Sequence, residues 1–407
     1  MHRRFLFVLA ALVAVLAFAG TAAAARIPGQ YIVVVKSGYD GRVVARDHAR
    51  YAGAEVLYTY GRALNGYAAR LTRAGLAAVR SDSRVAYVSA DRTVHAVAQT
   101  LPTGINRIQG DSSSTLSGNG SGSVGTAVAV IDTGIDRSHP DLNVAGGKNC
   151  STGRSYNDGN GHGTHVAGTI AAKDDGNGVV GMAPGAALYA VRVLNNSGSG
   201  SWSSIVCGIN WVTANAASKG IKVANMSLGG SGSDGACNSD ALHQAICNSV
   251  GAGITYVVAA GNSGTDFKGF VPAAYDQVLT VTAVADFNGQ SGGGAAATCR
   301  ADVDDTAADF SNYATLASDQ SHTIAAPGVC ILSTWKGGGY NTISGTSMAS
   351  PHVTGTAALC ISTGACSGTP AQIMQKLRSD AAAQPSSYGF TGVSGRFYSG
   401  LVYAGGY

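Results

Sequence analysis

Apolar segments alternate with turn-forming segments along most of the chain. Runs of strand length lie at 124–131, 187–194, 222–228, 253–260 and 278–285, and stretches of helical character lie at 163–172, 201–218 and 240–250. Strands that alternate with helices form a mostly parallel sheet with helices on both faces. We therefore predict an α/β fold for the long C-terminal part, with any active site beyond the carboxyl ends of the strands.

A shorter region before it has another order of elements. Strand-like runs begin at Tyr31, Glu55, Val85 and Thr93, the second of them broken at Gly61 and Gly66. Helical patterns cover 41–52 and 72–80. The order β-α-β-β-α-β predicts a ferredoxin-like unit over 26–97. A unit this small has little core, so we expect it to need a partner for stability. Residues 98–123, rich in Gly and Ser, predict a boundary and an extended arm.

The first 25 residues have the pattern of a secretory signal peptide. Arg3 and Arg4 precede an apolar run from Phe5 to Ala19, and small residues follow as far as Ala25. We predict cleavage near Ala24 or Ala25 and a secreted, extracellular protein. An uncleaved membrane anchor is the alternative, but 15 apolar residues are few for a span. No later apolar run reaches about 18 residues, so we expect no membrane association after cleavage.

Charge and composition exclude several classes of protein. The net charge of +4 divides into +2 over 1–25, +6 over 26–97 and −4 over 98–407. The opposite signs suggest two parts that attract each other, or merely an ordinary surface. The long part has no basic stripe, so we expect no nucleic-acid partner. Glu occurs only at Glu55, which excludes mechanisms that need paired Glu residues.

All eight cysteines lie after position 149, and their even number in an exported chain predicts disulfides. A zinc site is the alternative, but the chain has no CxxC pair. Eight cysteines allow about a hundred pairings, so the connectivity stays open. We predict pairing in chain order, because two of the pairs then close short loops: Cys150–Cys207, Cys237–Cys247, Cys299–Cys330 and Cys360–Cys366.

Four polar residues follow strands or begin helices in Gly-rich segments. Asp132 ends "AVID", His162 lies in "GHGTHVAG", Asn262 ends "VVAAGN", and Ser347 lies in "SGTSMASPH" just before a predicted helix. Acyl transfer needs this set: a Ser nucleophile, an imidazole base, a carboxylate that orients it, and a donor for the oxyanion. Each residue alone fits an ordinary turn or cap, but together they favour catalysis.

His165 allows a second interpretation of the same segment, as a metal ligand with His162. The spacing is i, i+3 and has no Glu between, unlike the HExxH zinc helix. We therefore expect His165 to be a structural neighbour of the site, and His352 to pack in the helix after Ser347.

These segments resemble those of the subtilisin-type serine peptidases, and the resemblance points to the proteinase K-like branch. It rests on "IDTGID", "NGHGTHVAG", "SLGG", "VVAAGN" and "SGTSMASPHV", and the last is the most specific. It implies a triad of Asp132, His162 and Ser347, with Asn262 in the oxyanion hole. A catalytically silent relative that acts as a binding protein is the alternative, since motifs do not prove geometry.

The resemblance extends to substrate binding and to processing. It implies that Ser227, Leu228 and Gly229 line the pocket for the residue before the cut bond. Gly198, Ser199 and Gly200 would pair with the backbone of a protein or peptide substrate. Residues 26–97, with "YIVVVK" and "LNGYAARL", resemble the family's propeptide, which assists folding and then inhibits the enzyme. The implied maturation cut lies between about His95 and Gln99, and the peptidase domain would span 98–407.

Further expectations concern specificity, metals and assembly. No acidic residue flanks "SLGG", so we predict broad specificity with a preference for apolar or aromatic residues before the cut. We expect no cofactor for the chemistry and a monomer. Calcium stays open, because the resemblance implies an Asp where the chain has Thr323. Residues 287–309 resemble an insertion; Asp302, Asp304 and Asp305 within it favour a solvated acidic loop over a calcium site.

Overall fold

The computed structural model describes residues 26–92, 99–238 and 240–407. The predicted signal peptide and the strand predicted at 93–97 lie outside these residues. The chain divides into two compact units; residues 26–92 belong to the first and the described residues from 99 onward to the second. Among the described residues, no helix is long and apolar enough to cross a membrane.

The first unit is a four-stranded antiparallel sheet with two helices. Its elements are β1 (Arg26–Val35), α1 (Gly41–Tyr51), β2 (Glu55–Tyr60), β3 (Gly66–Arg70), α2 (Arg73–Ser81) and β4 (Val85–Arg92). The strand order β2-β3-β1-β4 and the β-α-β-β-α-β sequence confirm the predicted ferredoxin-like unit. The side chain of Asp40 caps α1 and that of Thr72 caps α2.

One face of this sheet carries the small core of the first unit. Val33, Val35, Tyr67 and Ala69 alternate along β1 and β3 and are buried with Val44 of α1. Residues two apart in a strand point to the same face, so this alternation directs the apolar side chains of both strands toward the helices. Tyr58 and Tyr87, on β2 and β4, remain exposed.

The second unit is built on an eight-stranded sheet. In chain order its helices are α3 (Thr103–Arg107), α4 (His162–Ala171), α5 (Trp202–Lys219), α6 (Ala241–Gly251), α7 (Ala317–Gln320), α8 (Thr346–Ser362) and α9 (Pro370–Ala382). Its longer strands are β5 (Ala127–Asp132), β6 (Val144–Asn149), β7 (Leu188–Arg192), β8 (Ile221–Met226), β10 (Thr255–Ala259), β12 (Leu279–Ala285), β14 (Thr323–Pro327), β15 (Ile331–Trp335) and β16 (Gly339–Ile343). The short strands are β9 (Gly230–Ser231), β11 (Phe270–Val271) and β13 (Thr306–Ala307).

The sheet runs in the order β13-β12-β10-β8-β5-β7-β6, with β14 paired to β12. Its pairings are parallel except that of β13 with β12. In β5, Val128 and Val130 face one core while Ala129 and Ile131 face the other, so both faces are buried. The first core includes residues of α4, α8 and α9, and the second includes residues of α5 and α6. The predicted α/β fold is confirmed.

Some elements are absent from the prediction or differ from it. The two-stranded hairpin β15–β16 was not predicted; β16 is partly exposed and begins with Gly339 followed by mostly polar residues, so it carries no strong apolar signal. Ser347 is the second residue of α8 rather than a residue before the helix.

The four predicted disulfides are confirmed: Cys150–Cys207, Cys237–Cys247, Cys299–Cys330 and Cys360–Cys366.

The segment 287–309 is held together internally by carboxylates that we predicted from the sequence to be solvated. That expectation is wrong for Asp304 and Asp305, which are buried. Asp304 accepts hydrogen bonds from the backbone N–H groups of Phe287 and Ala295. Asp305 accepts from Gly292 and Gly293. The loop needs these bonds because its Gly-rich sequence offers few apolar side chains to bury.

Arg107, at the end of α3, is the buried cation that faces this loop. Its Nε lies 2.9 Å from Asp305 Oδ1 and 3.1 Å from Asp286 Oδ2. Its guanidinium also donates to the backbone oxygens of Tyr388 and Gly389, at 2.8 and 2.7 Å. Burial nevertheless raises the pKa of Asp286 to about 7. One side chain therefore joins the N-terminal arm, the loop and the C-terminal segment.

We expect Arg107→Met to lower the free energy of unfolding by about 3–5 kcal/mol, because it leaves two buried carboxylates without their cation. Denaturant titration measures this change. The control is Lys376→Met, which breaks the partly exposed pair with Asp380 in the same unit. It should cost no more than about 1 kcal/mol. Equal losses in the two variants would contradict the role assigned to Arg107.

Candidate active site

The predicted catalytic residues gather at one edge of the large sheet. Asp132 is the last residue of β5, and Asn262 follows β10 by three positions. Because β5, β8 and β10 run parallel, their carboxyl ends lie at the same edge. Helices α4 and α8, which begin at His162 and Thr346, are packed against each other in the same core.

Asp132 and His162 form a direct hydrogen-bonded pair. Nδ1 of His162 lies 2.8 Å from Oδ1 of Asp132, which also accepts the N–H of Thr133 at 2.7 Å. The carboxylate is fully buried, whereas the imidazole is 25% exposed. A carboxylate only accepts, so Nδ1 carries the proton and Nε2 keeps a free lone pair.

The loop before α4 fixes the position of His162, and Asp158 holds that loop. Asp158 accepts hydrogen bonds from the backbone N–H groups of Gly161 and Thr164, at 2.9 and 3.0 Å. Gly161 has φ of 116° and leaves no room for a Cβ beside Trp335, which explains the Gly before the histidine. Asp158 was not predicted from the sequence, because its partners are backbone N–H groups and threonine hydroxyls that no motif displays.

Charge near the imidazole favours its protonated form. Burial alone would lower the pKa of His162, but the adjacent Asp132 carboxylate, with Asp158 further away, raises it above its ordinary value. The pair can therefore accept a proton from a nearby hydroxyl and stabilise the resulting imidazolium.

Ser347 is held against the end of β8 by reciprocal contacts with Ser227. The Ser227 hydroxyl donates to the backbone oxygen of Ser347 at 2.8 Å, and the Ser347 hydroxyl donates to the backbone oxygen of Ser227 at 3.4 Å. Buried Asn225 on β8 donates to Ser227 Oγ and accepts from Ser350 and Thr354 of α8. This ladder of bonds fixes the helix that carries Ser347.

Asn262 faces the start of the same helix. Its Oδ1 accepts from both the backbone N–H and the hydroxyl of Thr346, each at 2.8 Å. Two donors on one side of the amide orient its Nδ2 group away from Thr346. The side chain is exposed, so that group is accessible to a ligand.

A cavity of about 660 Å³ brings His162 together with the predicted substrate-binding residues. Gly198, Ser199, Gly200, Ser227, Leu228 and Gly229 all line it. Leu194, Trp202 and Ile205 were not predicted from the sequence, and they add an apolar wall to this cavity. Trp202 and Ile205 belong to the first turn of α5, and Trp202 is 41% exposed, an unusual fraction for such a large apolar side chain. The signal in the sequence that could have pointed to the wall is the position of this tryptophan, two residues after the predicted substrate-pairing segment that ends at Gly200.

The other two histidines of these motifs are buried and bonded to backbone. His165 Nε2 lies 3.0 and 3.1 Å from the carbonyl oxygens of Ile331 and Asn341, and burial lowers its pKa to about 3. His352 Nδ1 lies 2.8 Å from the Met348 carbonyl within α8. Both histidines are therefore packed structural residues, as predicted from the sequence.

One set of oxygen atoms in the described part of the chain could hold calcium. The carbonyl oxygens of Lys173, Asn177 and Val179 converge on the amide of Gln99, at 2.6–3.2 Å. Asp141 accepts the N–H of Val179 on one oxygen, and its other oxygen has no hydrogen-bond partner within the described residues. The Gln99 amide fills the position among these carbonyls; turned so that its Oε1, which has no partner among the described residues, faces the carbonyls, it would complete a set of oxygen ligands that suits a hard cation.

The positions that the sequence suggested for calcium have fewer oxygen atoms free to bind an ion. Thr323 is buried, and its hydroxyl donates to the backbone oxygen of Asp319 at 2.6 Å. Asp302 pairs with Arg300, and Asp304 and Asp305 have protein donors of their own. Their oxygens are therefore engaged within the protein.

Comparison with known proteins identifies both units. The sequence pattern of the subtilase family matches residues 123–398, and that of the peptidase inhibitor I9 family matches residues 30–96. The chain is 44% identical to subtilisin DY of Bacillus licheniformis over 270 residues, which is 65% of this chain and 86% of that protein. It is 40% identical to subtilisin E of Bacillus subtilis over 331 residues, 80% of this chain and 77% of that one.

A solved structure agrees with these relatives. The crystal structure of a cold adapted subtilisin-like serine proteinase matches with a TM-score of 0.56 and 32% sequence identity. The match covers 76% of this chain and 99% of the other. The chain therefore belongs to the subtilase family of serine endopeptidases and carries an inhibitor I9 domain in its N-terminal part.

Proposed function

We propose that the chain is a secreted serine endopeptidase made as a self-processing zymogen, with Asp132, His162 and Ser347 as its catalytic residues. The observation that carries this proposal is the buried Asp132–His162 pair, whose imidazole lines the same cavity as Ser227, the residue bonded to Ser347. Assignment to the proteinase K-like branch remains a prediction.

In the proposed reaction, Ser347 Oγ attacks the carbonyl carbon of the substrate peptide bond while its proton passes to His162 Nε2. The Asp132 carboxylate holds the imidazole in the required tautomer and stabilises the imidazolium. The proton then moves to the leaving amine as the C–N bond breaks, which leaves an acyl-enzyme. Water, activated by the same imidazole, releases the acid and restores the Ser347 hydroxyl.

Negative charge on the tetrahedral intermediate requires fixed donors. We assign one to the Nδ2 group of Asn262, which the two bonds from Thr346 orient. The second is the backbone N–H of Ser347, which has no acceptor within α8 because it lies in the first turn. Both donors are fixed before substrate binds, so they reorganise little during the reaction.

Residues 26–97 are proposed as the intramolecular inhibitor and folding assistant, with the signal peptide at 1–25 and the peptidase domain at 98–407. The match to the inhibitor I9 family supports the inhibitor role. The oxygen set around Gln99 and Asp141 is suited to a structural calcium ion, and no step of the reaction depends on it.

Substrate preference is proposed as broad, with apolar or aromatic residues before the cut bond. The cavity walls carry Leu194, Trp202 and Leu228, and none of its lining residues is acidic. A Lys or Arg side chain would therefore find no counter-ion there, while apolar side chains would gain from burial.

We expect Ser347→Ala to accumulate as an uncut precursor without peptidase activity, because the nucleophile for both reactions is lost. Gel mobility and N-terminal sequencing of the purified protein measure processing. The matched control is Ser362→Ala at the other end of α8, which should mature normally. A fluorophosphonate probe should label native wild type but neither Ser347→Ala nor denatured protein. Normal maturation of purified Ser347→Ala would refute the proposal.

We expect Asn262→Ala to lose about 3 kcal/mol of transition-state stabilisation, seen as a fall in kcat with little change in KM. Asn262→Asp is the informative control, because it keeps the acceptor for Thr346 and removes the donor. Both variants should be impaired. If Asn262→Asp keeps wild-type kcat, the residue serves only to position Thr346.

We expect a peptide library to be cut mainly after apolar or aromatic residues, because the cavity is uncharged and partly apolar. Mass spectrometry of the products gives the residue before each cut. Preferential cutting after Lys or Arg would contradict the proposal.

A further inference from the structure

Three ionisable side chains converge at the edge of the large sheet opposite the active site. Asp276 lies shortly before β12, Asp319 lies in α7, and His322 directly precedes β14. Strands β12 and β14 are parallel neighbours, and the N–H of Thr280 donates to the backbone oxygen of His322. The cluster therefore lies where these two strands begin, whereas Asp132 and Asn262 follow the ends of strands.

The polar atoms of this cluster are close together but are not hydrogen-bonded to one another. One ligand atom from each residue lies within 4.8 Å of the other two. His322 Nε2 is 3.7 Å from Asp276 Oδ1, which is beyond hydrogen-bond distance. Neither ring nitrogen of His322 has a hydrogen-bond partner in the described parts of the chain, and the same holds for Oδ2 of Asp319.

Burial makes these free atoms unusual. Asp319 and His322 are each only 2% exposed, and the ring of Phe267 contacts the imidazole in an edge-type arrangement with centroids 6.1 Å apart. Buried carboxyl and imidazole groups normally have partners, since leaving them without one is costly. A cation between the three side chains would supply a partner to both buried residues at once.

The donor set indicates the kind of cation. One imidazole nitrogen with two carboxylates is a typical ligand set for a divalent transition metal, whereas calcium prefers oxygen ligands alone. Asp276 keeps 47% of its side chain exposed, which gives the ion a path of entry. Three protein ligands leave room for water in a tetrahedral site.

We propose that Asp276, Asp319 and His322 form a structural binding site for a divalent transition-metal ion of the Zn²⁺ type. The bound ion would join the loop before β12 to α7 and to the start of β14. These segments adjoin the C-terminal part of the chain, since Arg378 of α9 donates to the backbone oxygens of Gln320 and Thr323. The site would stabilise this edge of the sheet and takes no part in peptide hydrolysis.

The test uses the full-length chain in the Ser347→Ala background, which prevents self-digestion. Protein stripped with a chelator is titrated with Zn²⁺ alone, and the bound metal and Tm are measured. We expect one equivalent of Zn²⁺ at this site and a rise of several degrees in Tm that grows with Zn²⁺ concentration. Ca²⁺ should not substitute in the same titration.

Two variants locate the ion. His322→Gln and Asp276→Asn should each lose that equivalent and the rise in Tm; the second changes a half-exposed residue and should fold. Asp309→Asn, an exposed carboxylate of the same unit, and His162→Gln, another histidine with a carboxylate neighbour, should keep both. The proposal is overturned if the Asp276→Asn protein binds Zn²⁺ like its parent, or if the parent binds none.

Discussion

The attachment of α8 to the end of β8 is the constraint on which the active site depends. A parallel sheet brings strand ends together, but it does not by itself fix a helix above them. Asn225 does this, because its buried amide bonds to Ser227 on one side and to Ser350 and Thr354 of α8 on the other. A buried amide with all these bonds satisfied permits one position of the helix and penalises others. Ser347 takes its place at the strand edge from this attachment.

The same logic explains how His162 is placed. Its helix begins with backbone N–H groups that Asp158 satisfies, and its imidazole bonds to a carboxylate that the strand has already buried. Each reactive group therefore has its position set by a polar residue that does not react. In such sites, the exact positions of the reactive side chains are set by residues that hydrogen-bond to them or to their helices without reacting.

The parts that the sequence predicts well are those encoded locally. Apolar runs predict β5, β8, β10 and β12 to within about three residues at each end, and glycine-flanked motifs mark Asp132, His162, Asn262 and Ser347. The pairing of Cys237 with Cys247 follows from their short separation.

The parts that the sequence does not predict depend on contacts between distant or featureless positions. Arg107 and Asp305 are 198 residues apart, and nothing local marks either as buried. Backbone carbonyl oxygens, such as those around Gln99, have no sequence signature. The insertion at 287–309 looks solvated because acidic, Gly-rich segments usually are, whereas here its carboxylates bind its own backbone.

The link between Arg107 and this loop constrains how the two can have arisen. A chain with the loop but an apolar residue at 107 would bury two carboxylates without a counter-charge, whereas a chain with the arginine but without the loop would still pair it with Asp286, which precedes the loop. The loop therefore depends on the arginine, but the arginine does not depend on the loop, so the arginine should have been present first. Relatives that carry the insertion should therefore have a cation at the position of Arg107, whereas relatives that lack it can keep the arginine with the single buried acid before the loop.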